Sequence, residues 1–171
     1  MAKILSSLIT LMLLFCAVSS ARASQDLHSS LQRQMFLQTE SPKGLPETVK
    51  VFKQEVAGAG WSVLNMNNMA GILSEKGYTI SPVLIFDVCS GKYSARILAK
   101  DEYRFVTPLM PCRVSIYQTS EGKVVIARLD PEGLGPLLSG ELAEIMMQSS
   151  MEMEDIIEKT ISRLNGIKPE C

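Results

Sequence analysis

Two cysteines stand where strand-like runs of this chain begin or end. Cys89 closes the run "VLIFDVC", and Cys112 follows a proline at the head of "LMPCRVSIY". A thiolate is a nucleophile and a soft metal ligand, so these two positions define the chemistry open to the chain. Cys89 falls directly before a helix start with Ser90 as its N-cap. Free backbone N–H groups and the positive end of the helix dipole there favour a thiolate over a thiol. Cys112 shares a strand face with Val114 and Ile116 and is expected to point into the core. Met110 lies two residues before Cys112, so a strand reaching back that far projects both sulfurs the same way. Asp87 interrupts an otherwise apolar strand and shares a face with Cys89 by alternation. Once buried it needs a partner such as Arg113 or Arg128, and it then serves as a structural ion pair or as part of a polar pocket. The candidates for ligand binding or redox chemistry are therefore Cys89, Cys112, Met110 and Asp87.

Composition removes several chemistries. A Cys–His nucleophile needs a base, and the single histidine is His28, in the N-terminal segment "SQDLHSS". No catalytic residue is assigned on that ground. No C-x-x-C occurs, and no four-ligand set for tetrahedral zinc is evident. Soft-ligand binding remains: Cys and Met suit copper(I), or an axial position on iron. The residues fix neither a metal nor a cofactor. Two plainer uses compete, since free cysteines are often buried as small hydrophobes and exported ones often pair. A Cys89–Cys112 disulfide would close a loop of about 24 residues and contribute about 3–4 kcal/mol. Cys171 makes the cysteine count of the exported chain odd and is open to an intermolecular bridge. The methionines Met146, Met147, Met151 and Met153 crowd one segment. Met146 and Met153 fall in a helical core stripe with Leu142 and Ile156, which reads as adaptable core or dimer packing.

The elements that must position these residues begin after an address. Lys3 precedes the apolar run "ILSSLITLMLLFCAV", and Ala21-Arg22-Ala23 supplies a small-x-small cleavage site. Residues 1–23 thus read as a secretory signal peptide, which places the protein in the periplasm or outside the cell. An uncleaved anchor is the competing reading, but Ser19, Ser20 and Arg22 cut the run below the roughly 20 apolar residues a span needs. Cys16 does not make a lipoprotein site, because Phe15 precedes it where a small residue is required. Removing Lys3 and Arg22 lowers the 17 Lys+Arg to 15, against 18 Asp+Glu. A net charge of −3 without basic clusters argues against nucleic acid and against anionic membrane surfaces as partners. No stable membrane anchor is expected after cleavage.

Residues 24–44 carry an N-terminal strand and lead-in, with Leu31, Arg33, Met35 and Leu37 alternating on one side. In "LPETVKVFKQEVAGAGW", Val49, Phe52, Val56 and Ala59 recur at helical spacing. Pro46 and Glu47 suit the first turn and Gly60 the C′ position. "WSVLNM" is a short strand, "NMAGILSEKG" a short helix stopped by Gly77, and "SPVLIFDVC" a buried strand. "SGKYSARILAK" reads as helix. Cys112, Val114 and Ile116 open a hairpin that turns at Glu121-Gly122 and returns through Val124 to Leu129. Asp130 and Pro131 cap and open a short helix, interrupted by Gly135-Pro136. The segment "SGELAEIMMQSSMEMEDIIEKTISRL" forms a long C-terminal helix on the sheet, followed by a tail at 166–171. The fold class is α+β with a mainly antiparallel sheet.

In this order the segments "DVCSGKYSARIL", "LMPCRVSIY" and "KVVIARLDPEGL" make the chain resemble domain-of-unknown-function family 302, over a domain taken as 45–165. Cys89-Ser90-Gly91 stands where that family usually has Cys-Asn-Pro, and Met110-Pro111-Cys112 where it has Leu-Pro-Cys. The resemblance implies a β-α-β4-α arrangement like that of the TATA-binding protein, a homodimer, and no established activity. Three readings follow. The first is an exported, non-enzymatic binding module with a small-ligand or soft-metal site near Cys89 and Cys112. The second is a thiol-dependent redox enzyme using Cys89, and the third a structural homodimeric interaction domain.

Overall fold

The computed structural model describes residues 35–130 and 138–167. The elements are β1 (Phe36–Ser41), α1 (Leu45–Gly58), β2 (Ser62–Asn68), α2 (Met69–Ser74), β3 (Val83–Cys89) and α3 (Gly91–Leu98). They continue with a 3-10 helix (Asp101–Leu109), β4 (Cys112–Gln118), β5 (Val124–Leu129) and α4 (Gly140–Leu164). One five-stranded sheet in the order β1-β5-β4-β3-β2 is antiparallel throughout. This is the expected α+β class with its β-α-β4-α order, the short α2 and α3 being set between strands. The expected signal peptide, His28, Leu31 and Arg33 of the expected first strand, the helix expected to open at Pro131, and Cys171 lie outside the described residues.

Local chemistry explains the frame. Pro46 occupies the first turn of α1, where its missing N–H is no loss, and Glu47 meets the positive end of the helix dipole. At the far end Gly60 takes φ +75°, which lets Trp61 N–H reach Val56 O (3.0 Å) and Gly60 N–H reach Ala57 O (3.0 Å). This double closure ends the helix and turns Trp61 back onto Val56, both buried. Gly122, at φ +85°, makes the hairpin turn between β4 and β5.

Register decides what each face carries. Val88 stands opposite Cys112, Phe86 opposite Val114, and Leu84 opposite Ile116. Phe86, Val88, Val114 and Ile116 are fully buried, so this face is the one that α1 and α4 cover. Phe52 of α1 meets Phe86 edge-on, ring centroids 5.5 Å apart, in an arrangement favoured by the ring quadrupoles. Along α4, Leu142, Ile145, Met153 and Ile156 are buried at helical spacing, as their pattern predicts.

Two elements carry little apolar signature. The described first strand runs over Phe36–Ser41, within the 24–44 segment expected to carry it. Its inward positions toward its end are Thr39 and Ser41, and Ser41 is buried because its hydroxyl meets Thr48 Oγ1 of α1 at 2.6 Å. A polar pair replaces the apolar alternation that marks most strands. The 3-10 helix carries no apolar periodicity of the α kind; it fills the space between α3 and β4 with a single buried side chain, Val106.

Candidate functional site

β3 ends at Cys89, Ser90 caps α3, and the 3-10 helix runs back to deliver Met110 and Pro111 to the head of β4. These three junctions meet α4 from beneath and leave a cavity of about 30 Å³. Cys89, Met110, Cys112 and Met146 all line it, together with Ser94 and Ser149. Trp61, Tyr93 and Ile97 supply apolar wall. Cys89 and Cys112 are unbridged and each is partly buried.

Each sulfur is held differently. Cys89 is partly buried, and its Sγ lies 3.1 Å from Ser94 Oγ, one turn into α3. The Ser90 side chain makes no cap hydrogen bond, which leaves the first N–H groups of α3 free beside Cys89. Cys112 packs against the core cluster on the face of Val114 and Ile116, as its alternation predicts. Burial pushes the Cys112 thiol above its ordinary range; a hydrogen bond with Ser149 opposes this, and the nearby Cys89 adds to the rise. Met110 lies outside β4, which begins at Cys112; it follows the 3-10 helix instead. The expected shared strand face is therefore corrected, yet the turn at Met110-Pro111 brings the thioether to the same cavity.

Asp87 does not join them. It stands opposite Arg113 in the β3–β4 ladder, with Oδ1 3.3 Å from Arg113 Nε. That contact is an ion pair without hydrogen-bond alignment, since Oδ1 has no hydrogen-bond partner. Of the two partners expected for Asp87, Arg113 takes the role. With Arg113 72 % exposed, the pair is structural and weak.

Arg128 has another task. It points under α4 and forms a bidentate pair with Glu154, one arm at 2.8 Å from Nε to Oε1 and a second from Nη2 to Oε2. Its Nη1 donates to Thr39 Oγ1 at 2.7 Å. A second cavity of about 70 Å³ opens over this pair and shares Leu109, Cys112, Met146 and Ser149 with the first.

Sequence reasoning missed Met146, Ser94 and Ser149 as neighbours of the thiols. The stripe on α4 contained Met146, but periodicity reports only that a residue faces inward, not what it faces. Trp61 was equally silent; its indole N–H donates to Glu152 Oε2 at 3.0 Å and its ring closes the back of the sulfur cavity.

Among the described lining residues of the smaller cavity there is no carboxylate, imidazole or amine. Among the described residues no group of three or more His, Cys, Asp or Glu side chains could hold a metal ion, so any metal there would have to draw on thioethers. No helix of the described residues is long and apolar enough to cross a membrane.

Comparison with known proteins gives the family. The family described as "Domain of unknown function DUF302" matches residues 37–161. A crystal structure of an uncharacterized conserved DUF302 protein from Bacillus stearothermophilus is similar in fold, with TM-score 0.66 and 24 % identity. The likeness covers 73 % of this chain and 97 % of that one. No curated protein matches.

Proposed function

This chain belongs to the DUF302 family, and from that premise we propose that it is an exported, non-enzymatic binding module whose site is the sulfur-lined cavity between β3, β4 and α4. One observation carries the reading: four sulfur side chains, three serines and a tyrosine surround a space of about 30 Å³, with no carboxylate, imidazole or amine in its wall. Such a wall can hold a guest, and it lacks the carboxylate or imidazole on which most general acid–base catalysis relies. The volume suits an ion or a guest of one or two heavy atoms, because about 10–15 Å³ of such space already holds one water. Export rests on Lys3, the apolar run after it, and Ala21-Arg22-Ala23.

Thermal unfolding of the reduced protein with silver(I), zinc(II), sulfide or thiocyanate tests the reading. A ligand bound only by the native state raises Tm with concentration. At least one of these probes is expected to do so in wild type and to lose its effect in Ser149→Leu, which fills the cavity from α4, and in Cys89→Ser. No shift with any of the four sinks the binding module. Export is checked by intact mass of protein from the periplasmic fraction, expected to begin at Ser24.

A second reading, self-association into a homodimer, is favoured by the sheet face turned away from α1 and α4. Val83, Tyr117 and Val125 form one cross-strand row there, flanked by Ile85. Sedimentation of Tyr117→Lys against wild type tests it: a smaller species in the variant supports pairing through this face, and identical mass opposes it.

A further inference from the structure

We propose that the sulfur cavity is a cuprous-ion site in which Cys89 and Cys112 bind as thiolates and Met110 and Met146 as thioethers. The inference rests on the binding-module reading and names its occupant. Its ground is a juxtaposition that no local motif contains: one sulfur from the end of β3, one from the turn before β4, one from the first residue of β4, and one from α4. Met110 and Cys112 stand two residues apart, whereas Cys89 and Met146 come from distant segments, and the fold brings all four to one space the size of an ion.

The donor set chooses the metal. Zinc is bound by thiolate, imidazole and carboxylate, and calcium and magnesium by oxygen. Two thioethers beside two thiolates, with no carboxylate or imidazole in the wall, match a soft monovalent ion instead. The surroundings fit the same choice. Ser94 Oγ lies 3.1 Å from Cys89 Sγ, and Ser149 bonds Cys112, so each thiolate sulfur has a hydroxyl to orient it. Trp61, Tyr93 and Ile97 are buried and give the cavity an apolar wall on one side. Binding is a substitution without electron transfer: copper stays at +1, four S–Cu contacts form, and the two S–H protons leave to solvent. The resulting site carries one negative charge. The uncapped N–H groups at the start of α3, next to Cys89, supply a positive potential against it.

The test is an anaerobic titration of the reduced full chain with copper(I) held by bicinchoninate as competitor, in a Cys171→Ser background so that this thiol adds nothing. One copper per chain is expected, with quenching of the single tryptophan, Trp61, and only sulfur neighbours in the X-ray absorption spectrum. Cys89→Ser and Cys112→Ser should each weaken binding at least about 100-fold, and Met110→Leu and Met146→Leu about tenfold. Met151→Leu, exposed on α4, should change nothing. Circular dichroism and Tm of each variant separate lost ligand from lost fold. Full affinity in both methionine variants overturns the four-sulfur assignment, and failure of wild type to compete with bicinchoninate overturns the cuprous site altogether. In that last case, stabilisation by sulfide or thiocyanate that Ser149→Leu abolishes leaves the binding module standing. Loss of both removes the two readings together.

Discussion

The two cavities under α4 share Cys112, Met146 and Ser149 in their walls, yet they are opposite in chemical state. The larger, at about 70 Å³, is floored by Arg128, whose Nε, Nη1 and Nη2 are all taken by Glu154 and Thr39. The smaller, at about 30 Å³, is walled by thiols and thioethers that no charged group engages. Volume alone would favour the first as a ligand site. Satisfaction of charge favours the second: a guanidinium already held in a bidentate pair with its own carboxylate competes for an anionic guest only by giving up that pair. The Arg128 end of the sheet is thus built to hold α4 down, and the thiol end to hold something else.

The largest expected effect tests the structural half of that contrast. Arg128→Ala removes a side chain only 9 % exposed and strands Glu154 and Thr39 beneath α4. Breaking a buried pair costs about 3–5 kcal/mol, and the 37 % exposure of Glu154 reduces this to about 2–3 kcal/mol in urea unfolding. The same variant should leave probe binding at the sulfur cavity within about twofold. A loss below about 1 kcal/mol, or a collapse of binding in a folded variant, would break the division of labour between the two ends.

The chemical half is read by labelling. Cys112 packs on the core while sharing both cavities, so in the folded, metal-free protein its maleimide reaction should be at least about tenfold slower than in urea. Cys89, at the helix junction, should react faster than Cys112 when the two are followed by peptide mass. Equal rates would mean that α4 does not shield the cavity as described. Filling the site with silver(I) should slow both, and Met146→Leu should leave the apo rates unchanged.

How much of this was legible in the chain depends on which forces wrote it. The strand at Val83–Cys89, the hairpin from Cys112 to Leu129 and the stripe along α4 were readable because burial imposes period 2 or 3.6 on apolar residues. The buried end of β1 was hard to read because it is fixed by the Ser41–Thr48 hydroxyl contact, which leaves no apolar signature. The stretch Asp101–Leu109 carries a 3-10 turn whose period hides among charged residues. The thiols were visible as types at strand ends, and alternation correctly turned Cys112 inward. Alternation also put Asp87 beside Cys89, and there it failed. Cys89 is the last residue of its strand, and its sulfur turns with the chain to meet Ser94 in α3, whereas Asp87 stays in the ladder with Arg113. Met146 could not be found at all without the angle at which α4 crosses the sheet.

The smallest expected effect concerns the back wall that joins the two halves. Glu152 accepts from Trp61 Nε1 and from Lys92 Nζ, at 3.0 and 3.1 Å. Burial alone would raise its carboxyl, but the hydrogen bonds from Lys92 and Trp61 and the Lys92 charge outweigh it, so the group lies below the usual glutamate range. A carboxyl lowered by folding stabilises the native state above its unfolded value, and that contribution fades as pH falls through the folded value. The side chains of Glu152 and Lys92 are 32 % and 60 % exposed, so solvent screening keeps the effect to a few tenths of a kcal/mol. Wild type should therefore lose slightly more stability than Glu152→Gln as pH is lowered through the glutamate range, with near-equal Tm below it. Trp61 emission follows the same step, because protonation takes away the charged acceptor of its indole N–H. Emission that is flat across that range while stability still falls would mean that the acid loss arises elsewhere, and that the wall behind the thiols is held by packing of Trp61 on Tyr93, ring centroids 6.2 Å apart, rather than by the carboxylate.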